Sequence, residues 1–316
     1  MHRPRQDLVI TVDKHKVPGV EFEKLAASGK VWEDFFQPRD GERYRYGSTQ
    51  KTFAPILKKI DDLKHSMRLP ERRSILDSLV AEYAHKSVKI ENNTLHLSDS
   101  IIINKHPDSN FMKQRDISSM SAHDLTKADL PNVAKKAMQS LNTPGIDESE
   151  VKSISALIVK DTDSEAICSA GWGKRVKPGD YRQTPISVKS NPLRIFPYHD
   201  EVPALMNRFF AWRNINKDGL LHPLILACQA TAYFVYIHSF PDGNGRVSRL
   251  VFQDALVRRE YLPVALPGVG RDDYVRMISL AQDADPSEFV AKVLSAQLGA
   301  LHTFRSRGSG EGGMEA

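Results

Sequence analysis

Apolar residues recur at helical spacing along most of the chain, the pattern that marks an amphipathic helix. Residues 53–67 show it first. Residues 71–90 follow, opened by Pro70, with Ile75, Leu76, Leu79, Val80 and Tyr83 on one stripe. Further helices are predicted over 130–141, Glu148–Val159, 202–214, Arg271–Asp283 and 287–301. Residues 221–237 differ. Leu224, Ile225, Leu226, Ala227, Ala230, Ala232, Phe234, Val235 and Ile237 leave almost no polar face, and a helix apolar all round belongs at the centre of a fold. One more helix is predicted from the loop after His238 to about Glu260, with Val247, Leu250, Val251, Ala255 and Leu256 on one face.

Between 170 and 197 the pattern breaks. Three glycines, four prolines and the alternating Ile186-Ser-Val188 predict an irregular stretch carrying a short β-hairpin. The expected fold class is therefore mainly α with a small hairpin. Residues 303–316 are rich in Gly and Ser and are expected to be disordered. The first fifty residues carry no motif, and no repeat is visible.

Composition narrows the function. A hydrophobic fraction of 41% and a charged fraction of 26% belong to a folded chain with a real core. No apolar run approaches the ~20 residues of a membrane span, and no apolar stretch follows Met1 to serve as a signal peptide. The expected location is the cytoplasm, with the nucleus also open. Cys168 and Cys228 are too few for a disulfide framework or a cysteine zinc site and read as small buried hydrophobes. A net charge of +5 and a pI near 9.0 leave nucleic acid as a weak rival partner, because no dense basic run stands out.

The candidate chemistry lies where the central helix ends. The chain there reads His238-Ser-Phe-Pro-Asp242-Gly-Asn-Gly-Arg246-Val-Ser-Arg249. Gly243 and Gly245 free the backbone to turn successive N–H groups into one concavity at a helix start, which is a ready anion site. Arg246 and Arg249 stand in the first turn, where cations oppose the helix dipole at a few tenths to ~1 kcal/mol each; an anion held there would account for both. Asp242 is a lone carboxylate beside that site and fits a magnesium ligand, since Mg²⁺ takes one or two carboxylates plus substrate phosphates. His238 can take a proton from a hydroxyl near neutral pH. Together the parts describe attack of a hydroxyl on a nucleotide phosphate. Taken singly each residue has a plainer reading: Asp-Gly-Asn-Gly is an ordinary turn and His238 an ordinary structural histidine. A calcium loop fails at both candidates. Arg246 and Val247 stand where a ligand and Gly are needed after Asp242, and Ile225 stands where Glu is needed after Asn214.

Residues 238–249 resemble the signature of the Fic family (filamentation induced by cAMP): His, any, Phe, any, Asp or Glu, Gly, Asn, Gly, Arg, two of any kind, Arg. Every specified position matches. Doc-type kinases depart at the loop glycines, so the resemblance is to AMP transferases. Pro178-Gly-Asp-Tyr-Arg182 with Ile186 and Val188 looks like the family's flap hairpin, and the segment from Arg271 to Tyr274 like its downstream nucleotide-contacting part. The resemblance covers about residues 170–293. It implies that His238 is the base, Asp242 binds Mg²⁺ (or Mn²⁺), and Gly243, Asn244 and Gly245 cradle the α- and β-phosphates. Arg246 would grip the β-phosphate and Arg249 the γ-phosphate, and Ile186, Val188 and Tyr274 would complete the nucleotide site. The flap would hold the target's segment as an added strand. Gln253 and Gln282 stand where the family frequently has Asn.

A second motif, Ser87-Val-Lys-Ile-Glu91-Asn92, resembles the family's inhibitory motif. It implies that the Glu91 carboxylate pairs with Arg249 and takes the place of the γ-phosphate. The division expected is an N-terminal helical region over 1–105, a Fic catalytic domain over 106–302, and the tail. The function implied is a protein adenylyltransferase moving AMP from ATP to a Ser, Thr or Tyr hydroxyl of a target protein, restrained by Glu91 and also able to modify itself. Two alternatives remain open: removal of AMP from a modified protein, alone or beside transfer, and a nucleotide-gated binding module. A homodimer is compatible with either.

Overall fold

The computed structural model describes residues 24, 27–28, 40–67, 145–159, 176–186, 196–215, 221–283 and 285–308. The helices predicted over 71–90 and 130–141, Ser87 and Glu91, Cys168 and Val188 lie outside them.

The described residues form helices without a strand. They are α1 (Asp40–Thr52), α2 (Ala54–Ser66), α3 (Glu148–Val159), α4 (Val202–Ile215), α5 (Pro223–Ile237), α6 (Asn244–Arg258), α7 (Arg271–Asp283) and α8 (Ser287–Gly308), with one 3₁₀ turn at His199–Glu201. The mainly helical fold class holds. Residues 180–186, the described part of the predicted hairpin, are not strand.

Helix α5 is the axis. Twelve of its side chains are buried, from Leu224 to Ile237. It packs along α6 and is flanked by α4, α7 and α8. Two apolar layers meet across it. One joins Ile154 and Ile158 of α3, Phe209 of α4, Phe234 of α5 and Val247 and Leu250 of α6. The other joins Leu57, Ile60 and Leu63 of α2 to Leu224 and Cys228 of α5, Phe252 of α6, Met277 of α7 and Phe289 of α8. Burying a Leu, Ile or Phe side chain is worth about 1.5–3 kcal/mol, so α2 belongs to the core rather than to a detached extension.

Helix α1 was not predicted. Among its described side chains, Tyr46 and Thr49 are buried, which makes no stripe. Tyr46 joins the second apolar layer, and polar contacts add to it: Tyr46 Oη donates to the Ala281 carbonyl at 3.0 Å, Thr49 Oγ1 lies 3.3 Å from Ser287 Oγ, and Gln50 Oε1 accepts from the His222 N–H. Helix α8 runs to Gly308 rather than stopping near Leu301, so part of the tail expected to be disordered is helical.

The start of α5 is locked by a polar triad. His222 Nδ1 accepts from the Leu224 N–H at 3.2 Å and so caps the helix. Its Nε2 lies 3.2 Å from Asp61 Oδ2, and Tyr261 Oη donates to Asp61 Oδ1 at 2.6 Å. The triad ties α2, α5 and the end of α6 at one point. Because Nδ1 accepts, Nε2 carries the proton and donates to Asp61.

Candidate active site

The site sits at the opposite end of α5, where the helix stops and α6 begins. His238 caps α5 in the left-handed region at φ 52 and ψ 57, with its N–H 3.3 Å from the Phe234 carbonyl. A non-glycine residue there costs roughly 1–2 kcal/mol, so the surroundings must hold it. Phe240, fully buried, anchors the chain just beyond, its ring 5.6 Å from that of Tyr181.

The His238 ring is oriented by its own helix. Nδ1 lies 3.2 Å from the Val235 carbonyl oxygen. A carbonyl only accepts, so this contact places the proton on Nδ1 and leaves the Nε2 lone pair to take a proton. The Phe196 ring packs against the imidazole, centroids 4.5 Å apart at 51°.

The loop that follows is internally braced. The Asn244 side chain accepts from the Phe240 N–H at 2.9 Å and donates to the Phe240 carbonyl at 2.8 Å. That amide is buried and committed to the loop, so what Asn244 offers an anion is its backbone N–H. Gly243 caps α6 at φ 77, the left-handed conformation glycine adopts without steric cost. Gly245 is not in that region; it lies in the first turn of α6, half-buried. Gly243, the N-cap of α6, has no side chain to cap it, and no acidic residue stands in the helix's first turn. Its leading N–H groups and positive dipole end therefore face the loop unopposed by any carboxylate from that turn.

Both arginines are buried, Arg246 in the first turn of α6 and Arg249 in the second. Arg246 is 9% exposed; its Nη2 lies 3.3 Å from Asp242 Oδ2 and its Nη1 donates to the Ile158 carbonyl at 3.4 Å. Arg249 is 5% exposed, with its guanidinium 5.6 Å from the centroid of the buried Tyr274 ring. Thus His238, Asp242, Gly243, Asn244, Gly245 and Arg246 lie together where α5 meets α6, and Arg249 packs on Tyr274 a turn further along α6. Ile186 is described and half-buried.

Gln253 and Gln282 serve the frame. Gln253 exchanges two hydrogen bonds with the Val264 backbone, at 3.0 and 2.9 Å, and Gln282 Nε2 donates to the Ala232 carbonyl at 2.7 Å.

One residue at the site had no role assigned from the sequence. Arg182 is 2% exposed, and its guanidinium donates to three main-chain carbonyls: Nε to His238 at 2.7 Å, Nη1 to Thr184 at 3.0 Å, and Nη2 to Pro197. Its own N–H donates to the Ser239 carbonyl at 2.9 Å. Main-chain acceptors are invisible to a residue-by-residue reading, and the resemblance placed Arg182 only within the flap segment.

For a divalent cation, the donor set is one oxygen ligand, the 39%-exposed Asp242 carboxylate; the described residues hold no cluster of three acidic, histidine or cysteine side chains. That suits Mg²⁺, which keeps waters and substrate phosphates in its shell, and does not suit a cage-bound metal.

Comparison with known proteins gives the family of this segment. Residues 145–256 match the Fic/DOC family. That segment is a Fic domain. A protein adenylyltransferase Fic from Drosophila grimshawi is 36% identical over 115 residues, which cover 36% of this chain and 23% of that protein. One from Culex quinquefasciatus is 28% identical over 246 residues, 76% of this chain and 45% of that protein. The chain therefore spans between about a quarter and a half of these two relatives. A solved structure of Fic-1 from C. elegans shares the fold at a TM-score of 0.64 and 19% identity, covering 95% of this chain and 86% of that one. The matched segment runs from Gly145, just before α3, to the last turn of α6.

Proposed function

We propose that the protein is an adenylyltransferase that moves AMP from ATP to a hydroxyl side chain of a protein, itself included. The observation that carries the reading is the His238 ring, held by Val235 so that Nε2 is the basic nitrogen, beside the glycine-capped start of α6 and its two buried arginines. The relatives named protein adenylyltransferase Fic support the same reaction.

The chemistry divides among the residues as follows. The Asn244, Gly245 and Arg246 N–H groups and the two guanidinia bind the phosphates and offset their charge. The target hydroxyl attacks the α-phosphorus while His238 Nε2 takes its proton. The bond from the α-phosphorus to the bridging oxygen breaks, and pyrophosphate leaves with the electron pair. Tyr274, seated under Arg249, fixes where that guanidinium can reach. Asp242 would hold Mg²⁺ (or Mn²⁺), which supplies charge neutralisation on the phosphates when bound. Glu91 would restrain the enzyme by competing with the γ-phosphate for Arg249.

The test is the intact mass of the purified chain after incubation with Mg·ATP, alone and with candidate target proteins. A gain of one or more AMP groups, lost in His238→Ala with ATP affinity retained, is expected; removal of a general base costs about 10²–10⁴ in rate. Undiminished modification by His238→Ala would overturn the assignment.

A further inference from the structure

We propose that Arg182 is a positioning residue for His238, setting the backbone and ring of the base from behind. The kinetic part of this inference rests on the AMP-transfer reading; the structural part does not.

Arg182 and His238 are far apart in sequence and meet through a 2.7 Å bond from Nε to the His238 carbonyl. Burying a guanidinium is costly unless its donors are satisfied. Here each end of the fork has a carbonyl, and the three acceptors come from three separate places, His238, Thr184 and Pro197. The planar fork of arginine spans such a set; the compact ammonium of lysine cannot.

Each acceptor bears on the base. The His238 carbonyl belongs to a left-handed residue, so anchoring it fixes the turn that ends α5. That turn brings the ring to the Val235 carbonyl and puts the proton on Nδ1. The Pro197 carbonyl belongs to the residue next to Phe196, whose ring packs on the imidazole. The Arg182 N–H holds the Ser239 carbonyl as well. One side chain thus seats the base from below and, through Phe196, from the side. The influence of Arg182 passes through the backbone and Phe196.

The experiment uses the full chain, histidine-labelled with ¹⁵N, as wild type, Arg182→Lys and Arg182→Gln. The His238 signal is identified by its loss in His238→Asn. Wild type is expected to show the Nδ1–H tautomer. The variants are expected to shift toward the Nε2–H tautomer that free histidine prefers. In the self-modification assay kcat should fall roughly 10- to 100-fold with the KM for ATP within about twofold, because a displaced base leaves the phosphate contacts alone. Retention of the Nδ1–H tautomer in both folded variants overturns the proposal, whatever the transfer assay reads. Should neither variant fold, the Arg182 Nε–H of wild type decides: slow solvent exchange upholds the buried clip, and exchange at the rate of a free guanidinium overturns it. A wild type with the expected tautomer but no transfer would count against AMP transfer and leave the tautomer comparison to decide the role of Arg182.

Discussion

Arg246 and Asp242 are paired, Nη2 to Oδ2 at 3.3 Å, so the side chain proposed for the β-phosphate and the one proposed for the cation hold each other. The pair is one helical turn apart and Asp242 is 39% exposed, so its own worth to stability is about 0–1 kcal/mol. Asp242→Ala should therefore leave thermal unfolding within a few degrees of wild type. Metal-dependent transfer should fall by at least tenfold in a Mg²⁺ titration, and excess chelator should silence the wild type. Full transfer in chelator would remove Asp242 from any metal role.

Gly243 admits no side chain without strain. A Cβ there would stand 3.1 Å from Ile158 Cγ2, and the residue sits at φ 77. Gly243→Ala should cost about 1–2 kcal/mol from the left-handed backbone alone. Urea unfolding would show this as a lower midpoint with unchanged slope. Nucleotide binding by calorimetry should weaken as well, because the cap of α6 is displaced. Unchanged stability would mean the backbone relaxes out of the left-handed region.

For Glu91, outside the described residues, the expectation is kinetic. Glu91→Gly should raise AMP transfer, since it removes a competitor for Arg249. If that charge-assisted pair is worth ~2–3 kcal/mol, relief gives roughly 30- to 150-fold. Arg249→Ala should not mimic it, since the γ-phosphate ligand goes too. Rates with labelled ATP for the three proteins check this, and no gain in Glu91→Gly would reduce the 87–92 motif to a helix end. Loss of AMP removal in the same variant would assign Glu91 to a hydrolytic reaction.

Acid should weaken the fold through His222. Burial lowers its pKa from the usual histidine value, and the Asp61 carboxylate only partly opposes this. Protonation would also put a proton on Nδ1, against the Leu224 N–H it now accepts. The unfolded chain then takes up the proton first as pH falls below about 6.5, so stability is full above that value and declines beneath it, by at most ~1.4 kcal/mol per pH unit. His222→Asn keeps a capping side chain and removes the titration. Unfolding temperatures at pH 7.5 and 5.5 should differ less for the variant than for wild type. An equal difference in both proteins would clear His222 of any part in acid sensitivity.

The candidate site was legible because its chemistry lies on one contiguous loop, from His238 to Arg249. Glycine, carboxylate and arginine each signal their use by type. Two helices, Glu148–Val159 and Arg271–Asp283, were bounded correctly because acidic first turns and apolar stripes agree there. The sequence says less where a residue acts on backbone. His222 read as the second residue of the central helix, whereas it is the cap of a helix starting at Pro223. Arg182 binds carbonyls that any residue would supply. Helix α1 is held by polar contacts to α7, to the first residue of α8 and to the cap of α5, which no local pattern announces.

The paired bonds between Asn244 and Phe240 close a small ring of chain around the turn. A loop so closed has little freedom left to lose. Association with an anion there should proceed with a small unfavourable conformational entropy and little structural rearrangement. Asn244→Ala would open the ring while keeping the backbone N–H. Its signature would be a larger entropic penalty for nucleotide binding at nearly unchanged contacts, with the turn acting as a hinge where it had been a rigid clasp.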